Sequence, residues 1–175
     1  MNTPTEIRTV LERNVKAVTL RPSVGQGTAV TRVRLGESLS CEISEGPWTL
    51  AAGMTEKYGG DGSAPNPGVL GRAALGSCLA IGYAMWAARL GVPIASLEIE
   101  VHADYDVRGE LGVSDEVRPG HSEIRYLIRV SSPANEDAVR RLIDTADRCS
   151  SWRDNLANPV PLVRELHITS TASAE

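Results

Sequence analysis

The chain has 175 residues, a net charge of −4 and 42% hydrophobic residues, with no phenylalanine. That length suits a single domain, 1–175, whose core must be built from Val, Leu, Ile and Ala. Basic residues form no stripe, which argues against a nucleic-acid partner, and the N-terminal run TPTEIRTVLERNVKAV has no apolar segment of the kind a secretory signal needs.

Thr3-Pro4-Thr5-Glu6 reads as a helix start, with Thr as cap, Pro at the first helical position and Glu three residues after the cap. Ile7, Val10, Leu11 and Val15 follow at helical spacing, so residues 1–20 are expected to form an N-terminal helical extension. Arg21 to Gly27 is a turn-rich link. Strands are expected over Thr28–Leu35, Leu39–Ile43 and Trp48–Ala52, the last two joined by a hairpin at Ser44-Glu45-Gly46-Pro47. Gly59 to Asn66 is a loop full of breakers.

Pro67 to Leu90 then reads as one helix, capped by Asn66, opened by Pro67 and stopped by Gly91 and Pro93. Arg72 and Arg89 are its only charges, and no face of it is polar, so it must be covered on every side. Its uncharged stretch is too short for a membrane span and carries Gly76 and Gly82. One sheet covers one side of such a helix. A second copy of the chain is the simplest cover for the other, and Gly71, Ala74, Cys78 and Gly82 offer small surfaces for close approach. A homodimer is therefore expected.

Ser96 to Asp106 alternates, with Leu97, Ile99, Val101 and Ala103 facing one way. Asp106 to Gly120 is a polar loop. Glu123 to Ser131 alternates again. Ser132-Pro133 opens an amphipathic helix whose apolar stripe is Val139, Leu142, Ile143, Ala146 and Cys149. Val163 to Thr169 is expected as a closing strand. The order predicts an α+β fold, with a mostly antiparallel sheet around a long buried central helix.

Cys41, Cys78 and Cys149 stand at wide spacings that match neither a disulfide framework nor a zinc pattern, and indicate reduced thiols in a cytoplasmic protein. Cys78 lies about 16 Å along its helix from Pro67, beyond the reach of the helix dipole. Burial disfavours its thiolate further. A reactive Cys78 thus requires a nearby cation, from Arg21, Arg32 or Arg72; without one it is a small buried hydrophobe. Cys149 by itself reads as a core thiol. His102, Asp104 and Asp106 share a strand face, in the manner of a solvated surface more than of a metal site, and His121 and His167 show no ligand spacing. The loop before Pro67 lacks the Lys-Ser/Thr of a phosphate-binding loop. No metal and no cofactor are expected. Trp48, Tyr58 and Trp152 serve either as lining for an apolar pocket beside the helix or as ordinary core.

The loop Gly59-Gly60 to Asn66-Pro67, the run Ala73-Ala74-Leu75-Gly76-Ser77-Cys78-Leu79, the stop Gly91-Val92-Pro93 and the helix ending at Cys149 together resemble the OsmC/Ohr family of thiol redox proteins. The resemblance runs from about Thr28 onward. It implies an intertwined homodimer, with each sheet wrapping central helices of both chains. It implies that Cys78 attacks organic hydroperoxides, that Cys149 resolves the product as a disulfide, and that an external dithiol restores both. The family's carboxylate position, after Asn66-Pro67, is Gly68 here, and the turn that carries its arginine reads Val24-Gly25-Gln26-Gly27. The family's second Cys-Pro-aliphatic pattern falls on Ser150-Ser151-Trp152, while the helix stripe selects Cys149. The resemblance leaves a second reading open, a non-peroxidase that binds a small apolar ligand at the dimer interface.

Overall fold

The computed structural model describes residues 3–170. Helix α1 (Pro4–Leu20) begins with the capping box read from the sequence: the Thr3 hydroxyl accepts from the Glu6 amide, and the Glu6 carboxylate accepts from the Thr3 amide at 2.6 Å. Three short strands follow, β1 (Arg32–Leu35), β2 (Ser40–Glu45) and β3 (Trp48–Gly53), in an antiparallel meander. Glu45 pairs with Trp48 across the two-residue loop Gly46-Pro47, with Gly46 at φ 54, the glycine-first arrangement that matches strand twist.

Helix α2 (Pro67–Leu90) has the expected ends. Asn66 accepts from the Val69 amide, Pro67 occupies the first turn, and Gly91 closes the helix at φ 67. Strands β4 (Ser96–Asp104) and β5 (Glu123–Ser131) form a separate antiparallel pair, flanking the single-turn helix α3 (Val107–Glu110). Their registered pairs alternate between apolar, such as Ile99 with Ile128 and Val101 with Tyr126, and charged, such as Glu98 with Arg129. The apolar side packs against α2 and an amphipathic helix, α4 (Glu136–Arg148), around Leu75, Leu79, Tyr83 and Ala146. The charged side carries exposed ion pairs, Arg129 with Glu100 and Arg125 with Asp104, and the His102 Nε2 lies 2.8 Å from Glu100. His102 and Asp104 are therefore members of a solvated face, and Asp106 pairs with Arg108. A short helix, α5 (Ser151–Ala157), follows α4.

Several expectations need correction. The antiparallel sheet is two sheets, not one. The amphipathic helix starts after Asn135, whose side chain caps it, three residues later than Ser132-Pro133 suggested. The closing strand at Val163–Thr169 does not form. A strand needs a neighbour for its backbone groups, and this segment lies against no sheet edge of its own chain, with Leu162, Val163 and Ile168 at least 81% exposed. Cys149 leaves the apolar stripe, because α4 ends at Arg148 and Cys149 is its exposed C-cap.

The central helix is covered on one flank only. Leu75, Leu79, Tyr83, Ala87 and Ala88 are buried, while Val69, Ile81 and Met85 on its other sides are exposed. The meander has almost no core beneath it either: Val33, Leu35, Trp48 and Leu50 are all more than half exposed. The chain exposes 13674 Å², whereas a compact monomer of its mass exposes about 8,300 Å².

The loop between β3 and α2 folds tightly, with the Gly60 amide donating to the Thr55 carbonyl and the Gly62 amide to Met54. A Cβ on Gly60 would run into the Met54 carbonyl. Gly60→Ala is expected to lower stability by about 1–3 kcal/mol, read as a fall in the urea midpoint with an unchanged slope.

Candidate functional site

The turn between α4 and α5 brings the site together. Ser150 is 7% exposed and caps α5, its Oγ accepting from the Arg153 amide at 3.4 Å. That bond leaves the hydroxyl proton available, and the Cys78 Sγ lies 3.5 Å away, a contact in which either group can donate. The Ser151 hydroxyl stands 3.7 Å from the same sulfur. The backbone amides of Ser151 and Trp152, in the first turn of α5 where amides lack intrahelical partners, also favour the thiolate. Burial pushes the Cys78 thiol up. The Ser150 hydroxyl, the Trp152 amide and then the Ser151 hydroxyl and amide outweigh burial and hold it below the ordinary cysteine value.

The expected cation is absent from this balance. Neither Arg21, Arg32 nor Arg72 contributes to the shift at Cys78. The Arg72 guanidinium instead folds back over Gly68, where a Cβ would meet its Nη1 at 3.3 Å. Neutral donors aimed at the sulfur do here what the sequence reading assigned to a charge.

Cys78 opens onto a cleft of about 480 Å³ whose walls include Ile81, Met85, Trp86, Cys149 and Trp152. Cys78 and Cys149 thus face one cleft, with the Ser150 and Ser151 hydroxyls in contact with Cys78. Of the three aromatics singled out by sequence, only Trp152 lines this cleft. Trp48 is 72% exposed on the meander and Tyr58 is exposed beside it, because that sheet stands away from α2. Cys41 lies in β2, remote from the cleft lining.

Behind the turn, a polar cluster escaped the sequence reading. The Asp147 carboxylate accepts from the Tyr83 hydroxyl at 2.6 Å and from the Tyr126 hydroxyl at 2.8 Å. Arg153 Nε donates to the Tyr126 oxygen at 3.2 Å and lies 4.0 Å from Asp147. Tyr83 is fully buried, and burial, then its bond to Asp147, raises its hydroxyl far above the tyrosine range. A tyrosine inside an otherwise apolar helix was the available signal, since a buried phenol needs a partner.

A family profile described as OsmC-like protein matches residues 60–164, the span from the tight glycine loop through the Cys78 helix to α5 and beyond. The chain belongs to the OsmC-like family. Solved structures agree on the fold. An OsmC-like protein from Mycoplasma pneumoniae superposes with a TM-score of 0.66 at 14% identity, covering 77% of this chain and 90% of that one. An OsmC-like hydroperoxide resistance protein from Jannaschia sp. CCS1 gives 0.52 at 21% identity, over 81% and 92% of the two chains. The organic hydroperoxide resistance protein OhrB of Bacillus subtilis gives 0.50 at 16% identity, over 76% and 93%. No curated protein shows significant sequence similarity to the chain. The family's α+β architecture is therefore secure for this chain, and α1 lies outside the matched residues.

Ser150→Ala removes the nearest donor to the sulfur. The midpoint of Cys78 alkylation with pH is expected to rise, and the rate at pH 7 to fall about three- to tenfold. Iodoacetamide labelling followed on the Cys78 peptide checks this.

Proposed function

We propose that this OsmC-like protein reduces organic hydroperoxides through Cys78. The observation that carries the reading is a partly buried thiol in the lining of a largely apolar cleft, with the Ser150 and Ser151 hydroxyls 3.5 and 3.7 Å from its sulfur. The Cys78 thiolate attacks the outer oxygen of ROOH and the O–O bond breaks. The sulfur, oxidised by two electrons, becomes a sulfenic acid, and the alkoxide leaves and takes a proton as ROH. Cys149, on the wall of the same cleft, then displaces hydroxide as water to form a disulfide. An external dithiol reduces that disulfide and returns both thiols. Ile81, Met85 and Trp86 favour an apolar R group. Three free cysteines suit a reducing, cytoplasmic setting.

We further infer that the working unit is an intertwined homodimer. The uncovered flank of α2, the core-less meander and the extended apolar tail leave about 5,000 Å² more surface than a compact chain exposes. Carried by each of two chains, that excess is more than an obligate dimer interface of about 2,000–5,000 Å² in total requires. No charged group supports Cys78 within one chain, and Gly68 stands where the family's carboxylate would be. Those two facts favour the second reading, a family member that holds a small apolar ligand at the dimer interface without reducing it.

Intact mass after one equivalent of cumene hydroperoxide separates the two. The peroxidase loses about two mass units as the disulfide forms, and Cys78→Ser does not. A wild-type mass that stays constant while the hydroperoxide persists leaves the binding protein as the surviving reading. Sedimentation equilibrium is expected to give twice the 18.7 kDa chain mass; a monomer would refute the dimer.

A further inference from the structure

The thiol's donors are only as well placed as the turn that carries them, and that turn is tied down at both ends. At its start, Asp147 takes a hydrogen bond from α2 through Tyr83 and another from β5 through Tyr126. At its end, Arg153 reaches back to the same Tyr126 oxygen and approaches the same carboxylate. Ser150 and Ser151 lie between these two anchors. Tyr83 and Cys78 share one helix, so the carboxylate fixes the turn to the very element that bears the sulfur. The Asp147 side chain is only 19% exposed, which leaves its oxygens little access to competing water.

We propose that Asp147 is a positioning residue, which, clamped by Tyr83, Tyr126 and Arg153, holds the 149–152 turn so that the Ser150 and Ser151 hydroxyls meet the Cys78 sulfur. The proposal rests on Cys78 being the reactive thiol. The clamp acts through geometry. The groups facing Asp147 are the two phenols and the guanidinium, and the carboxylate's hydrogen bonds go to the phenols. This gives the test a definite sign. If Asp147 acted on the sulfur by its charge, removing that charge would make the thiol more acidic. If it acts by holding the turn, removing it makes the thiol less acidic, because the donors drift from the sulfur.

The decisive experiment is the pH profile of iodoacetamide alkylation at the Cys78 peptide in the full chain, for wild type, Asp147→Asn, Tyr126→Phe and Asp147→Glu. Cooperative thermal unfolding confirms that each variant is folded. The midpoint is expected to rise in Asp147→Asn, with labelling at pH 7 slowed about three- to tenfold. Tyr126→Phe, which changes no charge near neutral pH, is expected to move the midpoint the same way by less. Asp147→Glu, which keeps a carboxylate within reach of the phenols, is expected to recover part of the wild-type midpoint. An unchanged or lowered midpoint in folded Asp147→Asn overturns the clamp. If Asp147→Asn does not fold, Tyr126→Phe decides, a raised midpoint supporting the clamp and an unchanged one refuting it. Hydroperoxide consumption is followed in parallel. A wild-type thiol inert to hydroperoxide, with a midpoint that still rises in Asp147→Asn, refutes the peroxidase and upholds the clamp.

Discussion

A helix of 24 residues with no polar face dominates this molecule, and its own chain covers only one flank of it. Everything else is arranged around that requirement. The β4–β5 pair and α4 enclose Leu75, Leu79 and Tyr83, and so create a dense core among the described residues. The remaining apolar side chains of α2, together with the meander and the tail, stay in search of cover. Apolar surface of this extent is rarely left to water. The same one-sidedness places Cys78 at the border between the core and the open flank, partly buried and still reachable.

The sulfur's environment sets burial against hydrogen bonding, with no charged group in the balance. Desolvation works against the thiolate, and two hydroxyls and two amides work for it. Hydrogen bonds to the ionised form are favoured over those to the neutral one. The donors come from a turn whose serines occupy the place where the family's second cysteine pattern falls. In this chain that place puts two hydroxyls beside the Cys78 sulfur, and Cys149 sits one residue earlier, at the helix end.

Much of the architecture was legible because local chemistry wrote it. Thr3 with Glu6, Asn66 with Pro67, and Gly91 mark helix ends through groups a few residues apart, and the alternation in β4 and β5 declares which side faces the core. The closing strand was misread because alternation specifies a face, while pairing depends on a neighbour the chain does not supply. Cys149 was misplaced by continuing a helical stripe one residue past the last turn. The cation expected beside Cys78 was a fair inference from a buried thiol, but the actual donors lie more than seventy residues away, and no spacing rule joins α2 to the α4–α5 turn. The Asp147 cluster was invisible for the same reason, although the phenol of Tyr83 in an apolar helix asked for a partner.

Ser150 performs two tasks with one side chain: its oxygen caps α5, and its hydroxyl is in hydrogen-bond contact with the Cys78 sulfur. Two equilibria that share an atom cannot be independent. Because the folded turn binds the thiolate in preference to the thiol, deprotonating Cys78 must strengthen the turn to the same degree that the turn favours deprotonation. The stabilisation is present above the unfolded thiol's pKa and fades as pH falls through the lower, folded value. Chemistry that consumes the thiolate removes this coupling, and the pH dependence that it lends to the turn goes with it.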